Sequence, residues 1–216
     1  MEEEKQGHGR LNMAKINWAR MYNAYFQAMI VEELVEQATR ALGSDAAFRT
    51  VAEITRKGAM RGFAVLHEEA RKAGVDLSGL SLREVLEYEV RCHRFAIEGM
   101  GVPFQLWERV EELEPGRRYA LYASKCKYAE RVKQLPATCG VCLGFFSGIL
   151  TRFGYNTRWV RSPERKRQLC MLPPEQRPGY VVYRDPSVEW PACRIVVEKL
   201  DCGDEGGGRE KGEGRG

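Results

Sequence analysis

Histidine is scarce in this sequence: three in 216 residues, His8, His67 and His93. Chemistry built on a cysteine–histidine dyad therefore has few places to sit. Long apolar runs are missing too. The longest mostly apolar stretch, Val141 to Leu150, is too short to span a bilayer, and the first ten residues, MEEEKQGHGR, carry no apolar core of signal-peptide length. A continuous basic stripe is also lacking. The net charge is only +4, and the one compact basic cluster, Arg161 to Arg167, reads as a solvated loop. These absences argue against a nucleic-acid or membrane partner and set the expectation of a cytoplasmic protein whose partner is a small molecule.

The chain has the composition of a folded domain. With 44% hydrophobic and 10% aromatic residues it can fill one sizeable core. The expected organisation is a leader over residues 1–14, a single domain over 15–200, and a disordered tail over 201–216, where glycine and charge replace apolar anchors.

Periodicity sets the class. Trp18, Met21, Tyr22, Tyr25 and Met29 recur at helical spacing, which predicts an amphipathic first helix with this aromatic face in the core and Gly43 as its stop. A second helix is expected from a Ser44 N-cap to Gly74, and SLRE (Ser81 to Glu84) is a capping box opening a third that carries Leu86, Val90 and His93. Period-two patterning from Phe104 to Leu113, the turn signal EPGR and the run RYALYASKC read as a hairpin that delivers Cys126. YAERVKQL is a short helical turn, and TCGVCLGFFSGILTRFG reads as a helix with Thr138 as N-cap and Gly154 as stop. YNTRWV, GYVVYRD and CRIVVEKL are the remaining strand candidates. Helices, hairpin, helix and then strands make an α+β fold, with a helical amino-terminal half packed on an antiparallel sheet of about four to five strands.

The seven cysteines, an odd number in an expected reducing compartment, read as thiols or metal ligands rather than as a disulfide framework. Three uses compete. Cys139 and Cys142 form a C-x-x-C pair able to share one zinc ion, so Cys139, Cys142, Cys170 and Cys193 make a candidate four-ligand set. Alternatively Cys126 or Cys139 is a nucleophile, with Glu130 moving protons and Arg131 supplying positive charge that favours the thiolate. The third use is plain burial, since free cysteine packs like a small hydrophobe. His93, beside Cys92 on the third helix, is the one histidine with a functional reading set beside its core one, and His67 reads as a surface or core residue.

The order of short motifs resembles a family of bacterial and archaeal proteins related to L-2-amino-thiazoline-4-carboxylic acid hydrolase. The residues that carry the likeness are ARMY (Ala19 to Tyr22), SKCKYAER around Cys126, Cys139 at a helix start, Cys170 before MLPPEQRP, and the closing strand CRIVV. That last pattern is also similar to 4-vinyl reductase domains, which bind small molecules or metals. The hydrolase resemblance implies water addition to a thiazoline ring and its opening. Cys126 or Cys139 would then be the nucleophile, Glu130 the proton carrier, and Arg131 a bidentate partner for a substrate carboxylate. The second resemblance implies a non-catalytic ligand or zinc sensor.

Overall fold

The computed structural model describes residues 17–203. The expected leader, and the tail beyond Gly203, lie outside the described residues. Asn17 caps the first helix, its side chain accepting the Arg20 amide at 2.9 Å. The helix runs through α1 (Trp18–Phe26), a π-helical segment (Gln27–Leu34) and α2 (Val35–Leu42). Gly43, at φ 74°, then turns the chain directly into α3 (Ser44–Lys72), so Gly43 and not Ser44 holds the N-cap position.

The aromatic face of this first helix is not core. Tyr22 is 64% exposed and Met29 63%, while the buried side consists of Asn23, Val31, Val35 and Ala38. Helical spacing identifies a stripe, but which stripe faces the protein depends on what the neighbouring elements offer. Here α3 takes the aliphatic one.

α4 (Leu82–Met100) opens on the expected capping box, in which Ser81 and Glu84 satisfy each other's free amides, and closes on left-handed Gly101. The extended segment after it buries Gln105 and Trp107 and exposes Leu106, as period two requires. Pairing begins later than the pattern, at β1 (Arg109–Glu114), which turns through Gly116 into β2 (Arg118–Ala123). After α5 (Ala129–Gln134) and α6 (Cys139–Arg152) come β3 (Thr157–Trp159), α7 (Lys166–Cys170), β4 (Tyr180–Arg184) and β5 (Cys193–Lys199). The sheet has five strands in the order β1-β2-β5-β4-β3, antiparallel throughout except for the parallel pair β3 and β4.

Alternate residues of the sheet serve two cores. Leu121, Cys193, Ile195 and Val197 join the main cluster with α3, α4 and α6, whereas Ala120, Val181, Tyr183 and Val196 pack on the other face with Leu169 of α7. Buried α6 lies so close to α3 that Gly140, Gly144 and Gly148 form the contact stripe. An added Cβ at Gly140 would sit 3.0 Å from the Phe48 carbonyl oxygen, and at Gly144 or Gly148 it would overlap the α3 backbone. Thr138 stands at the N-cap of α6, but a 3-10 turn (Pro136–Thr138) feeds straight into the helix, leaving the Thr138 hydroxyl buried and without a capping bond.

The described part of the expected tail is anchored. Asp201 pairs with Arg117 at 2.7 Å, and Cys202 is disulfide-bonded to Cys170. The reading of all seven cysteines as thiols or ligands is therefore corrected for these two. Spacing alone could not pair a cysteine on α7 with one beyond the last strand.

Candidate functional site

Four of the cysteines do converge. β2 ends at Ala123, which is paired with Cys193 at the start of β5, and the chain then bends so that the Cys126 amide donates to the Pro191 carbonyl at 2.6 Å. The first turn of α6 brings Cys139 and Cys142 alongside. Together these sulfurs line a small crevice with Tyr128, Trp190 and Ile195. The Cys193 thiol donates to Cys126, and this, with the Tyr128 amide, draws the Cys126 thiol below the ordinary cysteine range despite its burial. Cys193, the donor, is held above that range. Burial pushes Cys139 up to about 12 and raises Cys142 well above its usual value.

This donor set does not fit the zinc reading. Cys170, the fourth expected ligand, is bonded to Cys202. Among the described residues, no group of three or more His, Cys, Asp or Glu is arranged to hold a metal ion.

Glu130 and Arg131 point elsewhere. The Glu130 side chain is 80% exposed and pairs with Lys133 at 2.8 Å. Arg131 donates through Nε to the Val31 carbonyl at 2.9 Å and through Nη2 to the Glu32 carbonyl at 2.7 Å. Its guanidinium thus fastens α5 to the π-helical segment.

A larger space opens on the other side of Cys142 and Tyr128. It is a cavity of about 540 Å³ walled by α1, α3, α4, α6 and the segment 102–107. The lining is dominated by rings: Tyr22, Phe26, Phe63, Tyr88, Phe104, Trp107, Tyr128, Phe145 and Phe146. Among the described residues, no lysine or arginine contributes to it.

Polar groups are few and placed. Glu89, 1% exposed, is set into the wall from α4, and its Oε1 has no hydrogen-bond partner. Burial raises its carboxyl to about 8, so it is protonated at neutral pH. One turn on, His93 Nε2 stands 3.8 Å from Glu89 Oε2, and His93 Nδ1 lies 2.7 Å from the Gln105 carbonyl oxygen. A carbonyl only accepts, so Nδ1 carries the proton and Nε2 is a bare acceptor. Burial keeps His93 below its ordinary value and hence neutral. Asn23, on α1, presents a third acceptor, an Oδ1 with no partner.

Sequence reasoning read His93 on the correct helix face and missed Glu89. The signal was there: Leu86, Glu89, Val90 and His93 share one stripe, and a carboxylate among apolar residues at that spacing must be buried. Asn23 was hidden beside the aromatic stripe read as core. No protein-family model matches this chain, and no curated protein matches it. Among the described residues, no helix is long and apolar enough to cross a membrane.

Proposed function

We propose that this protein binds an apolar small molecule in the aromatic cavity, as a ligand-binding or sensor domain. The observation that carries this reading is the cavity itself. Its volume of about 540 Å³ falls inside the range usual for small-molecule sites, about 300–1,000 Å³. Rings on most sides and a few convergent polar atoms are the composition such sites have.

A neutral, environment-sensitive fluorophore tests the reading. Its emission is expected to rise and saturate with the protein, and Leu66→Trp, which fills the cavity from α3, is expected to weaken binding by about tenfold or more while the fold is retained. Binding that does not saturate, or that ignores the filled cavity, would sink the proposal.

Hydrolysis of a thiazoline carboxylate at Cys126 is the second reading. The thiol drawn down by Cys193, below a cavity whose lining includes Cys142 and Tyr128, favours it. Glu130 and Arg131, as oriented here, support no role in that step. If Cys126→Ser abolishes turnover of the thiazoline by a folded protein, the catalytic reading takes precedence.

A further inference from the structure

We infer that the cavity selects an organic cation, a primary or secondary amine carried on an apolar aromatic or aliphatic body, with Glu89 as the counter-ion. This inference rests on the cavity being the ligand site and adds the chemical class of what it holds.

The argument is one of unmatched hydrogen-bonding capacity. Asn23 Oδ1 and Glu89 Oε1 are buried acceptors without partners, and His93 Nε2 has no proton to give. Two of the donors nearby are engaged. Gln105 Nε2 donates to the Leu106 carbonyl at 2.9 Å, and the Tyr128 hydroxyl donates to Gln27 Oε1 at 2.9 Å. A buried acceptor left without a partner is costly, so a ligand that brings N–H donors is favoured over one that brings none. Among the described residues, the lining offers an anionic ligand no lysine or arginine.

Charge points the same way. Ring faces attract cations, and Phe26, Phe63, Phe104, Trp107 and Phe145 surround the acceptors. Glu89 is protonated in the free protein, because burial disfavours its charged form. An ammonium group beside it removes that obstacle. The carboxyl then ionises, its O–H bond breaks, the electron pair stays on the carboxylate and the proton passes to solvent, so binding of one ammonium ion releases one proton. The other titratable groups around the cavity are His93, Tyr88 and Cys92 on α4, Tyr128 before α5, Cys142 on α6 and Tyr22 on α1. Burial holds Tyr88, Cys92, Tyr128 and Cys142 in their protonated forms and His93 in its neutral form, so Glu89 is the group set to exchange the proton.

Three probes of one shape decide the matter: phenylbutylamine, phenylbutanol and phenylbutyrate, titrated calorimetrically at neutral pH in buffers of different ionisation enthalpy. The amine is expected to bind about tenfold or more tightly than the alcohol, with the acid weakest. Binding of the amine alone should release about one proton. Glu89→Gln, which keeps the shape, should cancel the preference for the amine and the proton release in a variant that still binds the alcohol. Equal binding of amine and alcohol, an amine preference that survives Glu89→Gln, or preference for the acid would overturn the inference and leave the cavity reading standing. Failure of all three probes and of the neutral fluorophore would overturn both.

Discussion

Glu89 Oε2 and His93 Nε2 face each other 3.8 Å apart on one side of α4, and the Gln105 carbonyl fixes which imidazole nitrogen keeps its proton. Two ionisable groups are thus buried together, both uncharged, in the wall of an aromatic cavity. Their electrostatics follow from desolvation, which disfavours the charged form of each.

A stability profile against pH follows from Glu89. Its folded-state carboxyl is raised to about 8, above the value near 4.3 of an unfolded chain. Between those values the native state holds a proton that the unfolded state has lost, so stability is greatest at the acid end and falls as pH rises. The slope from this one group is about 1.4 kcal/mol per pH unit, flattening above about pH 8. Denaturant titrations across that window should show the fall in the native protein and a much flatter profile in Glu89→Gln. A native profile as flat as the variant's would contradict the burial of this carboxyl.

The Cys126 and Cys193 pair predicts a thiolate below the ordinary cysteine range. Far-ultraviolet thiolate absorbance followed against pH should show one early step that is lost in Cys126→Ser. In Cys193→Ala the donor is gone, and the same step should move to higher pH by about one unit or more. A step that stays where it was would show that Cys193 is not its cause.

Glycines on the two packed helices should respond oppositely to alanine. At Gly144 the added methyl meets the Ala52 carbonyl and the Thr55 hydroxyl across the α3–α6 contact, and overpacking of this kind costs about 1–3 kcal/mol or more. At Gly62, on the exposed side of α3, nothing lies within 4 Å, so Gly62→Ala should stabilise by about 0.5–1 kcal/mol through helix propensity alone. Thermal melts of the two variants should bracket the native protein.

Arg131 and Glu130, adjacent in sequence, should behave very differently. Arg131→Ala leaves the Val31 and Glu32 carbonyls without their charged donor and should cost about 1–3 kcal/mol. Glu130→Gln loses only an exposed pair with Lys133 and should stay within about 0.5 kcal/mol. Neither should alter binding in the cavity. A ligand affinity that drops in Glu130→Gln would restore that carboxylate to the site.

Much of the architecture was legible along the chain because its signals are local. The capping box at Ser81 and Glu84, the left-handed stop at Gly74, the Gly116 turn and the short apolar runs VVY and IVV are each legible within a few residues, from backbone amides, glycine conformation and side-chain type that no distant contact needs to supply. So the α+β class could be expected from the elements, whereas the meeting of Cys126, Cys139, Cys142 and Cys193 is set by how those elements pack. What needed the tertiary structure was every choice between equivalent surfaces. The aromatic stripe of α1 satisfies helical spacing as well as the aliphatic one, and only the shape of α3 and α6 decides that Val31 and Val35 go inward while Tyr22 rims a cavity. Cys170 found Cys202 rather than the other thiols for the same reason: a sulfur bonds to what the fold sets beside it, at a separation of 32 residues that no local rule can see. Glu89 is the clearest case. Its sequence position shows that it must be buried, but its charge, its lone oxygen and its use depend on the walls that four other segments close around it.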